Sequence, residues 1–408
     1  MMKKNFLITN VNIATMSCDS GVPLGVIEDA AMIVSEGIIL WLGKNQDRKK
    51  SLAGEECIDG QGGWLLPGFI DCHTHLVYAG NRANEFQKRM EGQSYEAIAK
   101  AGGGIQNTVN ATRKETPEDL YQSAANRLSR LLSEGVTTVE IKSGYGLDES
   151  SELKMLEVIQ KLDNDLAQRL VATCLAAHAV PLEYKHNPEG YVAWVVEEFL
   201  PKVQSKGLAS QCDVFCESIG FSLEQSQRVL KKAQSLGMQI KGHVEQLSCL
   251  GGSKLLAEMN GLSVDHLEYL DNVGIEVLAK QQTTPVLLPA AFYFLRETQK
   301  PPIPELRKAG VEFAIATDLN PGSSPCGSLL LAANMAAVLL GCTVEECLLG
   351  ITRIAAKALG VDHERGQLKK GMTADFSLWN IQSPSELIYG MSLYSPVAVF
   401  IGGEKVYG

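Results

Sequence analysis

No run of about eighteen apolar residues occurs in the chain, which removes a bilayer-spanning helix from the expectations. The start does not read as a secretory signal either: between Met1 and Cys18 only Phe6-Leu7-Ile8 is apolar, set among Asn and Thr. Positive charge is in deficit, with 37 Lys and Arg against 47 Asp and Glu and a net charge of −10. That balance speaks against nucleic acid or an anionic membrane as partner and leaves a small-molecule substrate as the expectation. None of the ten cysteines forms a Cys-x-x-Cys pair. Most, such as Cys174, Cys212 and Cys342, sit in apolar runs where a thiol packs as a small hydrophobe, and a reducing, cytoplasmic setting is expected. Also missing is the strand, Gly-x-Gly-x-x-Gly, helix order of a dinucleotide site. Gly102-Gly103-Gly104 is flexible enough to approach a ligand but lacks that context.

What is present is an ordinary globular composition, 408 residues with 45% hydrophobic and 21% charged, enough for one large domain and one small. Short strand patterns open the chain at Asn5 to Ile13, Ala30 to Ser35, Gly37 to Leu42 and Cys57 to Asp59, and return at Thr373 to Trp379 and Val397 to Ile401. Residues 1–65 and 362–408 are therefore expected to form one composite β-sandwich domain, with 66–361 inserted between its halves. Inside the insertion, strands alternate with helices. Thr116-Pro117-Glu118-Asp119 and Ser222-Leu223-Glu224-Gln225 are helix-start signals, and Leu120, Ala124, Leu128, Leu131 and Leu132 form an apolar stripe. The eight strands fall near Trp64 to His75, Val136 to Ile141, Leu170 to Ala177, Val214 to Cys216, Met238 to Lys241, Leu262 to Val264, Pro285 to Leu288 and Phe313 to Ala316. This is the cadence of an α/β (β/α)8 barrel, although a doubly wound open sheet shares the alternation. The apolar pattern from Leu329 to Leu340 suits either a homodimer contact or burial beside the small domain.

Five of the seven histidines fall just after a strand pattern: His73, His75, His178, His243 and His266. Asp318 stands likewise after the eighth. In a barrel these positions meet at one rim. His73, His75, His243 and Asp318 can then offer three nitrogens and one carboxylate to a single Zn2+ or Fe ion per chain. Such a cation lowers the pKa of a water from about 15.7 toward about 7, which points to hydrolysis. Asp318 can also carry the proton, and His266 can polarise a carbonyl. His178 fits either a substrate contact or a backbone contact, and His186 and His363 read as solvated.

These residues lie in motifs that carry a resemblance. Pro67 to His75 reads Pro-Gly-Phe-Ile-Asp-Cys-His-Thr-His, which resembles the first barrel strand of the amidohydrolase superfamily. Further along, Asp71 to Phe86, Ala101 to Ile105, Glu140 to Gly146, Ala177 to Pro181, His243 to Ser248, Val264 to Tyr269 and Thr317 to Pro325 resemble the imidazolonepropionase family within it. The resemblance implies hydrolytic opening of the ring of 4-imidazolone-5-propanoate to N-formimidoyl-L-glutamate. It also implies that Arg82 binds the propanoate in a two-pronged fork, that Tyr145 and His178 touch substrate, and that Asn320, Gly322 and Ser323 hold substrate or product. Related deaminases, and some members of this family, carry an acid where this chain has Gln246, which can hydrogen-bond the ring but not exchange a proton, so proton transfer falls to Asp318 with His266 assisting. Glu245, one position away, should point elsewhere. A ring deaminase of the same superfamily and a non-catalytic scaffold on a decayed barrel are the competing readings. Gln246, Arg82 and the Ser-Gly-Tyr-Gly loop weigh against the first, and the full ligand set against the second.

Overall fold

The computed structural model describes residues 5–17, 19, 21–48, 56–93 and 103–408; Cys18, Ala101 and Gly102 lie outside them. Four strands open the chain, β1 (Phe6–Ala14), β2 (Val26–Ser35), β3 (Ile38–Lys44) and β4 (Glu56–Pro67). Eight follow in the middle: β5 (Phe69–Asp71), β6 (Val136–Lys142), β7 (Arg169–Ala177), β8 (Gln211–Cys216), β9 (Gln239–Val244), β10 (Ser263–His266), β11 (Thr284–Leu287) and β12 (Ala314–Ile315). Three close it: β13 (Phe376–Trp379), β14 (Ala398–Ile401) and β15 (Glu404–Tyr407).

The terminal strands share one seven-stranded sheet in the order β15-β14-β13-β4-β1-β2-β3. Alternation of side chains sends Phe6, Ile8, Met32, Val34, Phe376 and Phe400 to one face, where they form a core of their own. Phe376 and Phe400 stack with ring centroids 4.5 Å apart. The sheet curls until its far parts meet: Ile39 N–H donates to Met372 O at 2.9 Å and Ala374 N–H to Gly37 O at 2.8 Å.

The middle strands run in sequential order and pair in parallel throughout. The ring closes just past the strand ends: Thr74 bridges Leu319, His75 N–H donates to Leu319 O at 3.0 Å and Asp318 N–H to His73 O at 3.0 Å. An open doubly wound sheet would reverse its strand order at a switch point, and this one does not. The outer helices obey their local signals. Thr116 caps Pro117–Leu132, whose Leu120, Ala124, Leu128 and Leu131 are buried, and Ser222 with Gln225 forms the reciprocal capping box of Leu223–Ser235.

One expectation needs correction. The apolar run from Trp64 to His75 is not a single strand. It divides at Gly68: Trp64 to Pro67 end β4 and pair with β13, Trp64 opposite Trp379, while Phe69 to Asp71 begin the barrel beside β6. A Cβ on Gly68 would lie 2.2 Å from Thr137 Oγ1, so only glycine lets the chain pass from one sheet to the other here. Around Leu329–Met335 and the following turn, Leu329, Leu330, Ala333, Ala336 and Leu340 pack into the barrel core within the same chain. No helix among the described residues is long and apolar enough to cross a membrane.

Candidate active site at the barrel mouth

His73 and His75 lie in the extended segment after β5, His243 and His266 at the ends of β9 and β10, and Asp318 after β12; each is 3% exposed or less. His75 Nε2 lies 3.3 Å from His243 Nε2, and Asp318 Oδ1 lies 3.6 Å from His73 Nε2 and 3.5 Å from His75 Nε2. Ligand atoms of His73, His75 and Asp318, and separately of His73, His243 and His266, fall within 4.8 Å of one another. Burial pushes the pKa values of His73, His75 and His266 well below the ordinary histidine value, helped by nearby positive groups. They are therefore neutral, the form that binds metal. Burial raises Asp318 to about 7. His73 Nε2, His75 Nδ1 and His266 Nδ1 have no hydrogen-bond partner among the described residues. Orphaned His73 Nε2, with His75 Nε2, His243 Nε2 and the buried Asp318 carboxylate converging beside it, fits a cation, because without one it leaves a polar atom dry at a cost of about 1–3 kcal/mol.

The histidines are held from below by carboxylates that the sequence motifs did not single out. His73 Nδ1 faces Asp265 Oδ2 at 2.6 Å, and His243 Nδ1 faces Asp213 Oδ1 at 3.1 Å. Each contact fixes the ring so that Nε2 turns to the mouth. Lys142 ties these acids together, donating to Asp213 at 2.6 Å and to Glu140 at 2.8 Å, with Asp265 at 3.8 Å. Lys241 donates to Glu140 and to Cys72 O, both at 3.0 Å, and Thr173 donates to Glu140 at 2.6 Å. Burial opposes the charge on Lys142, but Asp213, Glu140 and Asp265 outweigh it and hold the ammonium above its ordinary value. Burial likewise opposes ionisation of Asp213, yet His243 and Lys142 hold it well below the usual carboxylate range.

The remaining predicted residues divide between two walls. On the first, Arg82 donates through Nε to Thr108 Oγ1 at 3.1 Å, and its fork lies against Gly322, where a Cβ would come within 2.4 Å of Nη1. Tyr145 and His178 pack against each other and against His75. Their ring centroids are 5.4 Å apart, and they lie 5.8 and 5.2 Å from His75. His178 Nδ1 sits 3.0 Å from Gly144 O, so one face of this ring serves the backbone. Asn320 spends its side chain inside its own loop. Its Oδ1 accepts from Gly322 N–H and Ser323 N–H, and its Nδ2 donates to Asp318 O and Ser323 Oγ, all at 2.7–2.8 Å. Ser323 Oγ in turn reaches Asp318 Oδ2 at 3.4 Å.

On the second wall, Gln246 is half-buried, its backbone N–H held by Glu217 at 2.6 Å. Glu245 turns away, as expected, and accepts from Gly251, Gly252 and Ser253 at the start of the next helix. His186 and His363 are exposed.

Several buried groups escaped the sequence reading. Glu152 accepts from Gly144, Gly146 and Leu147 N–H, and so shapes the loop carrying Tyr145. Glu268 is 3% exposed, its carboxyl raised to about 8 chiefly by burial, with Glu297, Asp318 and Glu217 adding to it. The available signal was charge inside strands that otherwise read as buried: Glu140 and Lys142, and Lys241 and His243, are spaced by two and so face the same way.

The chain matches the model of the Amidohydrolase family over residues 64–406. It is similar to the imidazolonepropionase of Shewanella halifaxensis, 51% identical over 399 residues that cover 98% of each chain. It is also 52% identical over 404 residues to that of Colwellia psychrerythraea, covering 98% of this chain and 96% of the relative. Among solved structures, it shares its fold with the 5-methylcytosine deaminase from Klebsiella pneumoniae liganded with 5-fluorocytosine (TM-score 0.75, 17% identity, 98% of this chain and 97% of that one). It shares it too with a zinc-bound adenosine deaminase from Xanthomonas campestris (TM-score 0.72, 18% identity, 99% and 93% covered). Half the residues being identical over nearly the whole length, the chain belongs to the amidohydrolase family and, within it, to the imidazolonepropionases.

Proposed function

We propose that this chain hydrolyses 4-imidazolone-5-propanoate to N-formimidoyl-L-glutamate, with one Zn2+ or Fe ion held by His73, His75, His243 and Asp318. The observation that carries the reading is the meeting of a guanidinium fork with a buried histidine cluster. Arg82 lies against Gly322, four residues after Asp318, while Tyr145 and His178 pack against His75. An anionic tail and an electrophilic ring on one small molecule match that pairing. When bound, the cation supplies a Lewis acid and lowers the pKa of a water.

The chain's own groups do the rest. Arg82 receives the propanoate in a two-pronged, charge-assisted contact. Tyr145 and His178 line the same side, and Gln246 hydrogen-bonds the ring. His266, neutral and without a partner at Nδ1, polarises the ring carbonyl as charge develops on its oxygen. Asp318 takes the proton from the attacking water and delivers it to the ring nitrogen as the carbon–nitrogen bond breaks. Asn320 shapes the loop that presents Gly322 and Ser323 to the ligand. Asp265 and Asp213 keep the His73 and His243 rings turned so that Nε2 faces the mouth.

The test is direct. Freshly made imidazolonepropanoate should lose its ultraviolet absorbance in the presence of the purified protein, while cytosine, guanine and adenosine should not be deaminated. Turnover of one of those rings with the imidazolone untouched would replace this reading with a deaminase.

A further inference from the structure

Glu268 does nothing in the scheme above, yet it is built into the mouth at some cost. It follows two consecutive non-glycine residues in the left-handed region, His266 with φ +88° and Leu267 with φ +76°. Such positions persist only when their surroundings hold them. Here the neighbouring strand does so: Leu267 N–H donates to Val244 O at 3.3 Å and Tyr269 N–H to Glu245 O at 2.7 Å. The turn therefore fixes Glu268 next to the strand end that carries His243 and Gln246. The side chain is 3% exposed, and although its carboxyl meets its own backbone N–H, its Oε2 has no partner among the described residues, whereas neither oxygen of Glu217 or of Glu245, on the neighbouring strand ends, is left unpaired. Burial raises its carboxyl, and the charges of Glu297, Asp318 and Glu217 add to that.

The two walls thus differ in kind. Arg82 is the cation of one; the other holds the unspent carboxyl oxygen of Glu268, an acceptor with nothing to accept from. An imidazolone carrying a propanoate is divided in the same way, an anion at one end and ring N–H donors at the other. Resting on the function proposed above, we infer that Glu268 is a substrate-contacting, specificity-determining residue whose free carboxyl oxygen pairs with a ring N–H.

The inference is tested with Glu268→Leu and Glu268→Gln, measuring KM and kcat on imidazolonepropanoate, metal per chain and melting temperature. Removing the acceptor should raise KM by about tenfold or more with kcat largely kept, because a hydrogen bond present throughout the reaction is lost. The same Leu variant should melt no lower than the parent, since it removes a buried oxygen that the free enzyme leaves unpaired, and should retain its metal. Gln, which keeps an acceptor, should hold KM within about threefold of the parent. A Leu variant with the parent's KM overturns the assignment, as does one that melts well below the parent or fails to fold, or a Gln variant as impaired as Leu. An unmodified enzyme that does not turn over imidazolonepropanoate removes the proposed function and this inference together; turnover with unmoved variants removes this inference alone.

Discussion

Beneath the metal-capable histidines, Lys142 reaches two carboxylates, Lys241 shares one of them, and Asp213 and Asp265 each grip an imidazole. Toward the strand ends, His73 Nε2, His266 Nδ1 and Glu268 Oε2 have no partner among the described residues. Both layers are buried and both are polar, so burial does not separate them. Pairing does. In the lower layer the charges satisfy one another, with Glu140 Oε2 the exception, and removing one strands the rest. In the upper layer the chain has left polar atoms unsatisfied, and their partners must come from outside it. The lower layer is a foundation for geometry; the upper is an invitation to a ligand.

The contrast can be broken from below. Lys142→Met leaves Asp213 and Glu140 buried without their shared cation and should cost about 3–5 kcal/mol of stability, read as a large fall in denaturation midpoint together with loss of bound metal. A variant that melts and binds metal like the parent would show that the lower layer is dispensable. It can also be approached from above. His266→Ala should lower kcat by about 10²–10³ while leaving the melting temperature in place, because the group removed stabilises a developing charge and nothing in the folded chain depends on its Nδ1. Arg82→Gln should raise KM by about tenfold to a hundredfold, corresponding to about 1.5–3 kcal/mol for a charge-assisted pair, again with stability preserved. The smallest effect sharpens the contrast by lying outside both layers. Ser222→Ala removes one half of a capping box on an outer helix and should cost about 0.5–2 kcal/mol of stability with kcat and KM unmoved.

Much of the upper layer was legible in the sequence because its residues sit where strand patterns end. His73, His75, His243, His266 and Asp318 can be gathered at one rim from the strand pattern alone, since a barrel brings all such positions together. The lower layer was not. Asp213 and Asp265 lie inside short apolar strands, and the spacing by two of Glu140 with Lys142 and of Lys241 with His243 puts each pair on one face; only the register of neighbouring strands shows which of these faces meet. Glu152 looked like one polar position among many on a helix, and its role depends on the return of the Gly144 to Leu147 loop to within hydrogen-bonding distance. The division at Gly68 was hidden for a different reason. Two sheets take consecutive parts of one apolar run, and hydrophobicity has no mark for the change of partner.

That division has a consequence for how the protein is made. β4 leads directly into the histidine-bearing segment, but its antiparallel neighbour β13 is encoded roughly three hundred residues later. At about 5–20 residues per second, a ribosome needs on the order of 15–60 s to supply it. Through that interval the segment that will present His73 and His75 is tethered to an unfinished sheet, and the composite sheet is completed only as residues 376–407 emerge.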